Sequence, residues 1–255
     1  MILGLGALLL LNLTLKGLEL VRLSRRHNIA NKLLTFLGTG NYVEVYHKYN
    51  EVQSGPHVYI QESLMEIFCK EWNNEDSVVI IQTSASKEKN WHGENGLEKR
   101  LNNLKNTFNI QIDTLDIPEG KSENELWEMF EAVLSKIDEK DNIILDVTHS
   151  FRSLPILSLI ILNYAKAVKQ VKIEKIIYAV FETLGSQNEV KDMLLEKRVV
   201  PIFDLTPFVT LFDWTIAVNR FLETGNASKI NELSSEKLKP ILRESEGREG
   251  TRMQV

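Results

Sequence analysis

Apolar residues in this chain fall into short continuous runs, separated by stretches in which they recur every three or four positions. The first run, Leu33-Leu-Thr-Phe-Leu37, ends in Gly38-Thr-Gly-Asn41. A run of that length closed by glycines predicts a buried strand entering a tight loop. Residues 43–58 are richer in Tyr, His and polar side chains and contain Ser54-Gly-Pro56, which predicts a hairpin or an excursion over a ligand face. From Val58 to Trp72, Ile60, Leu64, Ile67 and Phe68 sit at helical spacing. The alternation then repeats: a strand at Val78–Gln82 before the polar loop Thr83-Ser-Ala-Ser86, a helix over Leu97–Phe108, and a strand over Ile110–Leu115. Ser122 with Glu125 forms a capping box that opens a helix to Ile137. A strand at Ile143–Val147, a helix at Leu154–Val168 and a strand at Lys175–Phe181 follow, and Val199–Phe203 is expected to pair at a sheet edge.

Strands separated by helices, several apolar enough to be covered on both faces, predict a mainly parallel, Rossmann-like sheet with helices on both sides. After Pro207 one amphipathic helix is expected over Phe208–Thr224, stopped by Gly225. The expected divisions are an apolar extension at 1–31, a ligand-binding domain at 32–205, and a linker or first effector helix with a polar tail at 206–255.

Loops that follow parallel strands share one edge of the sheet, and ligands bind there where the strand order reverses. Three loops qualify. Gly38, Thr39, Gly40 and Asn41 offer unobstructed backbone N–H groups and two side-chain donors. Thr83 and Ser84 supply small hydroxyls. The turn Asp146-Val-Thr-His-Ser-Phe-Arg152 supplies Thr148, His149 and Arg152 beside a helix N-terminus that favours an anion. Taken singly these signals are weak, since a lone Gly-x-Gly commonly marks only a tight turn, and Asp146 reads as a group that orders its turn rather than a base. Their convergence on one edge makes a binding site the expectation.

Composition narrows the ligand class. A formal charge of −5 and a pI near 5.7 argue against broad nucleic-acid binding, which needs many Lys and Arg on phosphates. A small anion held by local donors stays compatible. The single cysteine, Cys69, excludes an internal disulfide, fits a reducing compartment and lies in the apolar face of Leu64, Ile67 and Phe68. The five histidines, His27, His47, His57, His92 and His149, have no metal-ligand spacing, so no metal site is expected, and Walker A, G-x-S-x-G and complete G-x-G-x-x-G patterns are absent.

Residues 1–15 are almost all apolar and are followed by Lys16, Arg22, Arg25 and Arg26. That run falls short of the roughly 20 residues a membrane helix requires, and it lacks the basic start and cleavage site of a signal peptide. A marginal anchor, an amphipathic packing helix and translated upstream sequence remain as competing readings.

Asp146-Val-Thr-His-Ser-Phe-Arg-Ser-Leu-Pro155 and Leu33-Leu-Thr-Phe-Leu-Gly-Thr-Gly-Asn-Tyr42 together resemble the CRISPR-associated DxTHG-motif proteins, with Ser150 where the family usually has Gly. The resemblance implies a CARF domain over about residues 32–205, a homodimeric, cytoplasmic sensor of cyclic oligoadenylate in type III CRISPR antiviral defence, with no cofactor beyond that activating ligand. It carries ligand contact onto Gly38, Thr39, Gly40, Asn41, Thr83, Ser84, Thr148, His149 and Arg152, with Asp146 in the same turn. Two alternatives remain: ring nuclease activity in the same pocket through Ser84, His149 and Arg152, and a membrane-tethered sensor. The family commonly adds a helical HEPN ribonuclease domain with an Arg-x4-6-His motif. No histidine follows His149 here, so the stretch from Phe208 is expected to be at most its linker or first helix, and RNA a partner only where such a domain is present. Arg22-Leu-Ser-Arg-Arg-His27 meets that spacing in the wrong region and reads as coincidence.

Overall fold

The computed structural model describes residues 29–105, 107–149 and 154–235. The apolar segment 1–28 with its Arg22 to His27 spacing, Ser150 and Arg152 of the candidate turn, and the polar tail from residue 236 lie outside the described residues. The chain divides into two compact units at Leu205.

The first unit carries eight strands: β1 Asn31–Leu37, β2 Val45–Tyr49, β3 Val52–His57, β4 Ser77–Gln82, β5 Gln111–Asp116, β6 Asn142–Asp146, β7 Lys172–Ala179 and β8 Val199–Asp204. Its helices are α1 Ile60–Phe68, α2 Leu97–Lys105, α3 Glu123–Ser135, α4 Leu154–Lys169 and the short α5 Gln187–Asp192. The strands form one sheet in the order β3-β2-β8-β7-β6-β1-β4-β5. From β7 to β5 every neighbour is parallel. This is the expected α/β, Rossmann-like layout.

Burial follows from the strand patterns. All six residues of β4 and six of seven in β1 are buried, as strands covered on both faces must be. Leu33 and Leu37 of β1 join Val78 and Ile80 of β4 in a core with Leu64 of α1 and with Leu97 and Leu101 of α2. The alternate residues, Leu34, Phe36, Val79 and Ile81, turn to the opposite face. There α3 and α4 pack together through edge-on contacts among Trp127, Phe130 and Tyr164. Ser122 caps α3 as expected, accepting from the Glu125 N–H.

Two expectations change. The stretch 199–204 is not an edge strand. It lies inside the sheet, antiparallel to β7 and parallel to β2, because the β2–β3 hairpin docks beyond it. Asn50, with φ 51°, takes the left-handed turn of that hairpin. The supposed loop after β4 is a helical turn, Ser84–Ser86, capped by Thr83 and continued by a π-helical turn, Lys87–Trp91.

The second unit begins with α6, Thr206–Thr224, which has Pro207 in its first turn and ends at Gly225 in the left-handed conformation. Phe208, Leu211, Phe212, Ile216, Phe221 and Leu222 of this helix are exposed. Among the described residues, no helix is long and apolar enough to cross a membrane.

Candidate functional site

In the parallel part of the sheet the chain runs from β1 outward to β4 and β5, then returns to β6 on the other side of β1 and continues to β7. The strand order therefore reverses between β1 and β6, and the loops after these two strands diverge to leave a crevice. Gly38 to Asn41 form one wall and Thr148 and His149 the other. A cavity of about 420 Å³ lies between them, lined by Gly38, Thr39, Gly40, Tyr42, Thr83, Ser86, Glu119, Thr148 and His149 together with Leu37.

Asp146 does not face this cavity. It is fully buried, and both of its oxygens are engaged inside the protein. The Thr35 hydroxyl donates to Oδ2 at 2.6 Å, and the Thr148 N–H and hydroxyl donate to Oδ1 at 2.9 and 2.5 Å. Thr148 Oγ1 in turn accepts from the Ala179 N–H, and Gln61 donates to both Thr35 Oγ1 and the Phe36 carbonyl. One buried carboxylate thus ties β1, β6, β7 and α1 into a single network that sets the shape of the turn. Burial raises the Asp146 pKa, opposed by the hydroxyl and N–H donors of Thr148 and Thr35.

The glycine loop is held from behind. Asn90, on the π-helical turn, donates through Nδ2 to the carbonyls of Gly38 and Gly40 at 2.9 and 3.0 Å. Single π-helical turns inside helical segments often mark functional positions. Gly38 is required by close approach rather than by its dihedrals: a Cβ there would stand 2.8 Å from Tyr42 Oη, 3.2 Å from His149 Cβ and 3.3 Å from the His149 carbonyl.

His149 packs against Tyr42 with ring centroids 4.5 Å apart and the ring planes tilted by 44°. Burial pushes its pKa down to about 4, only partly offset by Glu182. At neutral pH it is therefore an uncharged ring that can exchange hydrogen bonds but cannot neutralise a phosphate. The described part of the cavity holds no cation, and Glu119, which accepts from the Ala85 N–H, brings a carboxylate to its wall. Thr83 spends its side chain on capping, accepting from Ser86 N–H. Ser84 is exposed and does not line the cavity; Ser86 stands there in its place. Asn41 lines a neighbouring chamber together with Tyr42 and His149. No cluster of metal-ligating side chains occurs among the described residues.

The family model for the CARF domain of CRISPR system endoribonuclease Csx1 matches residues 32–182, more than half of the chain. The chain belongs to the Csx1 CARF-domain family. It is also similar to the CRISPR-associated protein MJ1674 of Methanocaldococcus jannaschii, with 31% identity over 125 residues. That match covers 48% of this chain and 18% of the relative. The family span runs from β1 to the turn after β7, so it contains all three candidate loops.

Sequence reasoning named the residues at the strand ends and missed those that hold them. Tyr42 lay inside the recognised stretch and could have been picked out as an aromatic beside a glycine loop. Asn90 gave no signal, because a polar residue 50 positions along the chain reaches Gly40 only through the fold.

Proposed function

We propose that this CARF domain senses cyclic oligoadenylate, within type III CRISPR defence, and relays occupancy to an effector. The observation that carries the reading is the crevice at the β1/β6 reversal, where the Gly38–Gly40 loop and the Thr148–His149 turn converge in a chain of the Csx1 CARF family. Backbone N–H groups of a glycine loop meet phosphate oxygens without steric hindrance, and small side chains leave room for a ring. Arg152, three residues past His149, is the group assigned to the ligand's charge.

A ring with two-fold symmetry suits two copies of one chain. The helix that follows the site turn, α4, exposes Ile156 and Ile160 one turn apart, 67% and 53% accessible. We assign this stripe to the contact with a second copy, which would bring two crevices together over one ligand. The exposed apolar residues of α6 supply the surface through which an effector would be reached. Ring opening has less support: of its three expected groups, Ser84 does not line the cavity.

Isothermal titration of the full chain with cyclic tetra-adenylate and cyclic hexa-adenylate tests the reading. The expected result is binding of one of them at one ring per two chains, weakened at least tenfold by Gly38→Ala. Absence of heat with both would reject it, and one ring per single chain would reject the α4 contact.

A further inference from the structure

Behind the crevice lies a second cavity, of about 180 Å³, that shares Gly40, Tyr42, Thr148 and His149 with it as a common wall. The paired rings of Tyr42 and His149 therefore stand between two spaces. The far side is mostly apolar: Val43, Val45, Val58, Ile60, Ala179 and Phe181 line it, and His47 is a buried polar group in the same lining. Asn41 and Gln187 stand at its margin, where Gln187 donates to the Asn41 carbonyl.

Three features describe what this chamber accepts. Its volume is below the roughly 300 to 1,000 Å³ of pockets that hold whole small molecules, so it takes a part of a ligand. Its lining contains no Lys or Arg, and a phosphate there would lose its hydration with no countercharge. The part is uncharged. Thirdly, His47 is 5% exposed and its Nδ1 is paired with Ser63 Oγ at 2.8 Å, while Nε2 has no protein partner among the described residues. The Ser63 hydroxyl can donate or accept, so Nε2 can present either a proton or a lone pair. Burial, and then the nearby His149 and His57, push the pKa of His47 down to about 3, so it stays neutral.

Tyr42 also meets Tyr59 edge to face, with ring centroids 5.2 Å apart. Its hydroxyl is buried against the backbone of Gly38 and Gly40. A flat ring in the chamber can pack against this group of rings.

We propose that the chamber beside Tyr42 and His149 is a subsite for one nucleobase, read by His47. The inference rests on the crevice being a nucleotide site, and it assigns base and phosphate to different cavities. Phosphate stays with the glycine loop; the base goes inward.

Adenosine monophosphate and ribose 5-phosphate separate these claims. In carbon–proton spectra of the full chain, with the histidine Cε1–H signals assigned through His→Gln variants, adenosine monophosphate is expected to move both His47 and His149. Ribose 5-phosphate should move His149 alone. Movement of His149 but not His47 with adenosine monophosphate would overturn the subsite and leave the nucleotide reading standing. No movement with either probe would overturn both. Ala179→Leu, which fills the chamber, should weaken adenosine monophosphate at least tenfold and leave ribose 5-phosphate unaffected, with Val58→Phe as the alternative filling if Ala179→Leu lowers the melting temperature. Unchanged binding of adenosine monophosphate to a folded, filled variant would also overturn the subsite.

Discussion

The two ends of the parallel sheet both gather polar and charged groups, yet only one has the character of a binding site. At the end where the strands begin, a cavity of about 390 Å³ is lined by Lys32, Lys136, Asp113, Asp138 and Asp141 among others. Its charges are closed on each other. Lys32 Nζ meets Asp138 at 2.6 Å, Asp141 at 2.9 Å and the Lys136 carbonyl at 2.9 Å, and Lys169 Nζ donates to the carbonyls of Leu134 and Ile137. These two lysines cap the C-terminal end of α3, where carbonyls lack partners and the helix dipole favours a cation. Burial would lower the pKa of Lys32, but its bonds with Asp138 and Asp141 outweigh it and hold the pKa above the usual lysine value.

The opposite end is built the other way. The buried carboxylate is spent on the turn, the glycine carbonyls are pinned from behind by Asn90, and the cavity is lined by the glycine loop, small side chains and neutral rings, with Glu119 as its one charged side chain among the described residues. Cavity size does not separate the two ends, since both are near 400 Å³. The difference is whether the polar groups are satisfied within the protein. Satisfied clusters stabilise; groups held in place but left open can bind.

The largest effect that tests this contrast is on stability. Lys32→Met leaves Asp141, 1% exposed, as a buried charge without its cation, and should cost about 3 kcal/mol in urea unfolding, while affinity for cyclic oligoadenylate in the folded protein stays unchanged. A large loss of affinity would mean that the two ends are coupled. Asn90→Ala comes next. Releasing the carbonyls of Gly38 and Gly40 should cost about 1 to 2 kcal/mol and weaken cyclic oligoadenylate about tenfold by titration calorimetry; a loss of stability with no change in affinity would reduce the glycine loop to a structural turn. The smallest effect is on pH dependence. Because His47 and His149 have folded pKa values of about 3 and about 4 against 6.5 unfolded, their neutral burial stabilises fully above 6.5 and that stability is lost as pH falls toward 4. Asp146 and His57, whose pKa values are raised, act in the opposite sense. The difference between wild type and His47→Gln isolates the histidine, and unfolding measured from pH 7.5 to 5 should fall less steeply in the variant. Identical slopes would show that His47 is not buried neutral.

Much of this was legible from the chain. The runs Leu33–Leu37, Val78–Gln82 and Ile143–Val147 became the middle three strands of the parallel part of the sheet because continuous apolar runs must be covered on both faces. The glycine loop and the Thr148–His149 turn could be named because a strand's last residue fixes where the next loop emerges. Val199–Asp204 was misplaced, since a strand's neighbours depend on pairing partners that its own residues do not encode. Ser86, not Ser84, lines the cavity: a loop of small hydroxyls and a capped helical turn share one composition, and only the backbone decided which serine turns inward.

The sequence by itself determined the α/β class, the order of the elements and the family, because hydrophobic period and short motifs are local properties of a chain. Tertiary structure alone decided that Asp146 is a strut, that Asn90 holds the glycine loop, that His47 stands behind His149, and that Tyr42 divides one cavity from the next. Each of these is a contact between residues far apart in the chain. Its strength depends on burial and on which partners the fold has already supplied, and neither quantity exists until the sheet has formed.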